Sequence, residues 1–259
     1  MRFITRLGFT LSILLFALVS TGKPAKRYFY QLKVYHIKTG TQEQRVDKYL
    51  EDAYLPALHK AGIKSVGVFK PVKKDSLEQL VYVLIPFKSL DQFVNLETTL
   101  AKDQQLTASG ADYIDAKHTD APYQRIESIL IQAFPDMPGL GSPKLTGNRA
   151  DRIYELRSYE SHTEKIHNNK VQMFNKGGEV KLFERLRFNA VFYGKVLSGS
   201  TMPNLMYMTT FNDMKERDEH WKTFVDDPEW KKTSSMPEYQ NNVSRNDTRL
   251  LRPTDYSDY

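Results

Sequence analysis

No cysteine occurs anywhere in the 259 residues. That excludes a disulfide framework, thiol catalysis, a cysteine-ligated metal and a lipid anchor on cysteine, while leaving an oxidising compartment comfortable. Tryptophan occurs only twice, against 15 tyrosines and 14 phenylalanines. That bias suits strand-rich walls and leaves room for a ring-lined cavity. No block of like charge and no basic stripe interleaved with aromatics is present, so the formal net charge of +6 describes a solvated surface and not a nucleic-acid footprint. Low-complexity stretches are absent as well, and 40% hydrophobic with 26% charged residues describes an ordinary globular chain.

Nor does the sequence hold an apolar run long enough to span a bilayer, which takes about 20 residues. The run from Leu7 to Val19 is shorter, follows Arg2 and Arg6, and closes on Ser20-Thr21-Gly22. Those parts predict a cleavable export signal over residues 1–22, a mature chain starting near Lys23 in the periplasm or outside the cell, and no stable membrane insertion afterwards. A membrane anchor is the alternative, and the shortness of the run counts against it.

What the chain does hold is an internal repeat. Tyr30-Gln31-Leu32-Lys33-Val34-Tyr35 lines up with Tyr154-Glu155-Leu156-Arg157-Ser158-Tyr159, and both alternate as strands do. A helix follows each, the first capped at Thr41, kinked at Pro56 and ending at Gly62, the second opening at Thr163 and interrupted by Gly177-Gly178. Hairpins are predicted over 65–72 with 80–87, and over 190–197 with 205–211. Second helices start at Ser89 and Asp213, and the spacing from Ser89 to Asp103 equals that from Asp213 to Asp227. Last strands cover 124–134 and 243–251.

The order β-α-β-β-α-β, twice, predicts an α+β fold of tandem ferredoxin-like units over 23–134 and 151–259, joined by a linker over 135–150. Each sheet would leave one face bare, exposing Val81, Val83, Met206, Met208 or their neighbours, so the copies are expected to pack sheet to sheet as a pseudo-dimer. Gly139-x-Gly141, bracketed by Pro138 and Pro143 with no helix after it, reads as linker and not as a phosphate-binding turn.

Several strings carry a family resemblance. They are Tyr54-Leu55-Pro56-Ala57-Leu58, Tyr154-Glu155-Leu156-Arg157, Tyr159-Glu160-Ser161-His162, Met202-Pro203-Asn204-Leu205, Trp221-x-x-Phe224, Asp227-Pro228-Glu229-Trp230 and Leu251-Arg252-Pro253-Thr254. Together the chain resembles an exported bacterial NIPSNAP family protein, more specifically in the second copy than in the first. The resemblance implies a dimeric α+β barrel and leaves the activity open. Cofactor-free monooxygenases and haem-degrading enzymes are relatives of that fold, so a haem partner stays open while the sequence requires no cofactor.

Site candidates concentrate in the second copy. His162, beyond the first strand and flanked by Glu160 and Glu164, could serve as acid, base or haem ligand, or cap the helix at Thr163. Arg157 is its catalytic companion. Glu155, Arg157 and Tyr159 share one strand face, and either line the barrel lumen as polar anchors or face outward as solubility groups. Tyr193 and Tyr207 add ring walls or core packing. Glu164 and His167 stand one helical turn apart, but no second Glu-x-x-His completes a metal site. Trp221, Phe224 and Trp230 read as structural. The expected ligand is a small apolar or aromatic molecule held between the sheets; the alternatives are a monooxygenase or haem-acting enzyme, and an interaction module. A homodimer stays open.

Overall fold

The computed structural model describes residues 25–73 and 79–259. The expected export signal, 1–22, lies outside the described residues. Among those residues no helix is long and apolar enough to cross a membrane.

Eight strands make the frame: β1 (Phe29–Ile37), β2 (Gly67–Pro71), β3 (Gln79–Phe87), β4 (Arg125–Ala133), β5 (Ile153–Glu160), β6 (Phe192–Ser198), β7 (Asn204–Phe211) and β8 (Arg245–Pro253). They close in the order β1-β3-β2-β8-β5-β7-β6-β4, every neighbour antiparallel. Each copy supplies four consecutive strands of that circle. The sheets therefore do more than face one another: β2 pairs with β8 and β4 with β6, so neither copy keeps a free edge.

The repeat holds at the level of register. Tyr35 stands opposite Val81 and Ile126, and Tyr159 opposite Leu205 and Asn246. Glu127 is therefore the counterpart of Asp247, and Ile129 of Arg249.

Helices cover the outside. The first copy carries α1 (Gly40–Tyr49), a π-helical turn over Leu50–Tyr54, α2 (Leu55–Lys60), α3 (Leu90–Val94), α4 (Leu96–Leu100), α5 (Gln104–Ser109) and α6 (Ala111–Ile114). Pro56 has no N–H to give the preceding turn, and the backbone there widens, Leu55 N–H reaching the Leu50 carbonyl. The cap of α1 is Thr39, not the expected Thr41: Thr39 is extended and its hydroxyl accepts from the Gln42 N–H, while the Gln42 side chain accepts from the Lys38 N–H. Ser89 with Gln92 repeats the device at α3.

The second copy carries α7 (Glu164–Asn175), α8 (Glu179–Arg185), α9 (Met214–Asp226) and α10 (Pro228–Ser235). Thr163 caps α7, Asp213 caps α9 and Asp227 caps α10. Gly178, at φ +83°, supplies the left-handed residue between α7 and α8. Asp103 and Asp227 are both N-caps, so the equal spacing from Ser89 and Asp213 survives although Asn95 splits the first copy's helix.

Three apolar clusters follow from the alternation. One lies between the first copy's strands and helices, around Tyr35, Leu50, Leu58 and Val83; another lies in the corresponding place of the second copy, around Phe174, Phe183, Tyr193 and Tyr207. The third fills the barrel with Tyr30, Leu32, Tyr82, Leu84, Leu156, Met206 and Met208. The lumen-facing residues of β3 are thus Tyr82 and Leu84, the neighbours of Val81 and Val83, which turn to the helices instead.

After its glycines the linker runs on without regular structure until a 3-10 turn at Arg149–Asp151. Gly141 N–H donates to the Val191 carbonyl at 2.8 Å, and a Cβ on Gly141 would run into the Ala190 carbonyl. Glycine here permits a close backbone approach.

Candidate functional site

The residues singled out from the sequence come together, but not in the lumen. Glu155, wholly buried, faces the helices and accepts from Arg157 Nε at 2.7 Å, Arg217 Nε at 2.8 Å, Arg217 through a terminal nitrogen at 3.0 Å, and Trp221 Nε1 at 2.8 Å. The Arg157 guanidinium lies 3.9 Å from the Trp221 ring and donates to the Tyr159 hydroxyl at 2.9 Å, and that hydroxyl sits 2.8 Å from the Tyr207 hydroxyl. Burial would raise the Glu155 carboxyl; the hydrogen bonds from Arg217 and the Arg157 charge more than offset it and hold the group below its ordinary range.

Both faces weighed from the sequence are thereby corrected. The charged set of β5 points away from the lumen, yet α9 covers it, so it is neither a lumen anchor nor a solubility edge. Tyr193 and Tyr207 pack with Phe174 and Phe183 in the same layer. Trp221, Phe224 and Trp230 join it through ring contacts. Deeper still, Lys170 Nζ meets Glu179 Oε2 at 3.0 Å, both buried. What this layer does is fix helices to sheet through satisfied buried charge.

His162 is exposed and lines neither the barrel cavity nor the pocket beside Phe183 and Tyr193. Its neighbour in the motif, His167, is the buried one. Neither of its ring nitrogens has a hydrogen-bond partner among the described residues, and burial followed by the Lys195 charge pushes its pKa down to about 4. Glu164 is exposed, so the pair does not converge on one point. Among the described residues no group of three or more His, Cys, Asp or Glu is placed to hold a metal ion.

His167 carries a pH prediction. Its folded pKa is depressed, so between about 6.5 and 4 the unfolded chain takes up a proton that the folded chain refuses. Stability then falls as pH drops through that window, by about 3 kcal/mol from this residue. Urea unfolding at pH 7 and pH 4 checks it: wild type should lose about 3 kcal/mol more than His167→Leu, and equal losses would refute the assignment.

The lumen itself is uneven. Its lower end is filled by rings, with Tyr30 against Phe192 at 5.2 Å and Phe69 between Tyr154 at 4.9 Å and Tyr259 at 6.0 Å. The C-terminal residues seal that end: Ser257 Oγ accepts from the Val68 N–H and Asp258 from the Val66 N–H. At the upper end the side chains shorten and a cavity of about 390 Å³ remains. Its floor is apolar, from Leu32 and Val34 of β1, Tyr82 of β3, Leu156 of β5 and Met206 of β7.

Its rim is polar and drawn from both copies. His36 Nε2 lies 2.9 Å from Glu127, Arg249 Nε donates to Asp247 at 2.8 Å, and Ser158 and Thr201 complete the wall. Sequence reasoning singled out none of His36, Glu127, Asp247 and Arg249. The signal was there as a continued alternation: His36 extends the face of Leu32 and Val34, and Arg249 that of Leu251.

This rim can hold a small molecule by an apolar body and a polar head, and can move a proton through His36. It offers haem no open histidine, because the one histidine lining it has Nε2 turned onto Glu127.

Comparison with known proteins bears on the fold and on the second copy. The NIPSNAP family model matches residues 154–258. Among solved structures, a candidate monooxygenase from Fusobacterium nucleatum is 11% identical over 88% of this chain and 93% of its own, with a TM-score of 0.58. One from Lactobacillus acidophilus is 10% identical over 88% and 94%, with a TM-score of 0.55. An anthrone oxidase-like protein is 11% identical over 89% and 93%, with a TM-score of 0.50. No curated protein matches the chain. At such identities the structures show a shared α+β barrel fold alone. The sequence match is narrower and falls on the second copy alone, which is similar to the NIPSNAP family over those residues.

Proposed function

We propose that the protein binds a compact apolar or aromatic small molecule in the open end of its barrel. One observation carries the reading: the lumen is packed with rings at one end and hollow at the other, where about 390 Å³ of space meets an apolar floor and a polar rim. Ligand cavities have that size and that division of labour, apolar walls supplying affinity and a few polar groups fixing orientation. The export expected from residues 1–22 would put such a protein at the cell envelope or beyond.

Filling the cavity tests this. The full chain is titrated with a panel of one- and two-ring aromatics and medium-chain aliphatics, followed by thermal shift. A ligand at 100 times its Kd should add about 2.7 kcal/mol of stability. Leu156→Trp should weaken that binding at least tenfold while the protein stays folded by circular dichroism, with Met206→Phe as a milder filler. No stabilisation by any compound, or undiminished binding in both filled variants, refutes the reading.

Catalysis is the second reading, and the His36–Glu127 pair favours it. An imidazole oriented by a carboxylate at the edge of a cavity is placed for proton transfer to or from a bound molecule. Cofactor-independent oxygenation would need such a base.

A further inference from the structure

We propose that the ligand of the open lumen is an apolar or aromatic monocarboxylate whose carboxylate is gripped by the guanidinium of Arg249. This rests on the lumen-binding reading above and adds the chemistry of the head group.

The placement of Arg249 follows from strand alternation. Leu251 of β8 is buried in the lumen core, so Arg249, two residues earlier, stands one step nearer the mouth on the same face, where it borders the cavity. Its counterpart in the first copy is Ile129, by the register that sets Ile126 opposite Tyr35 and Asn246 opposite Tyr159. The two copies thus give the mouth an apolar wall on one side and a guanidinium on the other. A molecule with an apolar body and a single anionic end matches that asymmetry.

The state of the charges singles out Arg249. Lys70 is held by Glu43 at 2.7 Å and Asp47 at 2.6 Å, and His36 by Glu127 at 2.9 Å. Arg249 gives Nε to Asp247, which fixes its stem, while its two terminal nitrogens make no hydrogen bond to any described residue. A guanidinium tethered in this way presents its fork for a carboxylate, the geometry in which two parallel N–H donors meet two oxygens. Lys73, on the same rim and exposed, is a point charge on a flexible stem and offers no such match. The size of the cavity restricts the body to one or two rings or a medium-length chain.

The test compares isosteres. Isothermal titration of the full chain uses 2-naphthoate against 2-naphthamide, and octanoate against octanamide, which differ in the charge of the head and little in the body. Each acid should bind at least tenfold more tightly than its amide. Arg249→Gln should bring the acid down to the amide's affinity and leave the amide unchanged, and because Arg249 is half exposed the variant should keep the wild-type circular dichroism and Tm. An amide that binds as tightly as its acid, or an acid preference that survives Arg249→Gln, overturns the carboxylate assignment and leaves the lumen reading standing. A preference lost in His36→Gln or Lys73→Gln and kept in Arg249→Gln overturns the choice of residue. No binding by any of the four compounds overturns this proposal together with the lumen reading.

Discussion

Glu155→Ala should destabilise the protein by about 3–5 kcal/mol, the range seen when one partner of a buried ion pair is removed and the other stays behind. The carboxylate has no solvent exposure and serves four donor atoms from Arg157, Arg217 and Trp221. Without it the Arg157 guanidinium loses its ion-pair partner and Arg217 keeps only Asp218, each guanidinium being about one-fifth exposed. Arg157 keeps only the Tyr159 hydroxyl and the face of Trp221. Glu155→Gln should cost less, about 2 kcal/mol, because an amide oxygen still accepts while the charge is gone. Urea unfolding of the three proteins at pH 7 decides it. A loss below 1 kcal/mol for Glu155→Ala would mean that the network is idle, and the residues of β5 would return as candidates for a functional role. The same carboxyl, held below its ordinary range, contributes stability above the usual carboxylate pKa that is lost as pH falls through its own.

How much of this was legible in the sequence depends on the range over which a residue's role is decided. Caps are decided within one turn, and Thr163, Ser89, Asp213 and Asp227 were readable from the hydroxyl or carboxylate that opens each helix. Thr41 was misplaced by two residues because Thr39 and Thr41 both offer a hydroxyl. The sequence does not separate them, since a glutamine stands three residues beyond each, Gln42 and Gln44. Strand pairing within a copy was readable because hairpins are local. Which face of β5 meets the lumen was not readable, since alternation gives two equal sets and the choice is made by what packs on each. Tyr154 and Leu156 go inward because the facing sheet offers Phe69 and Leu84, and Glu155 goes outward because α9 brings Arg217 and Trp221. The mouth was least legible of all. His36, Glu127, Asp247 and Arg249 come from three strands of two copies and meet only once the barrel closes, a step that leaves no local mark. The candidates read from the sequence concentrate in the second copy, whereas the proposed rim draws on both.

That dependence gives the second large effect: residues 151–259 expressed alone should yield no folded monomer. The half-chain would expose the lumen faces of Tyr154, Leu156, Phe192, Val196, Met206, Met208 and Leu251, all buried in the closed barrel. At about 1.5–3 kcal/mol for each fully buried side chain of this size, the lost burial is on the order of 10 kcal/mol, comparable with the whole stability of a domain of this kind. It would also leave β6 and β8 as open edges, since their outer partners β4 and β2 belong to the first copy. Two half-chains can satisfy both needs by pairing β6 of each with β8 of the other, because β4 and β8, and likewise β2 and β6, hold equivalent places in the repeat. The fit should be imperfect. Register makes Phe69 the counterpart of Gly194, so a dimer of second copies would lack the ring that Phe69 drives between Tyr154 and Tyr259. Size-exclusion chromatography with light scattering should find a dimer or larger aggregates at micromolar concentration. Adding residues 25–150 should convert these into a one-to-one complex that unfolds in a single transition and binds the same lumen ligands as the intact chain. A cooperative, monodisperse monomer of residues 151–259 would show that the barrel is not what stabilises this half.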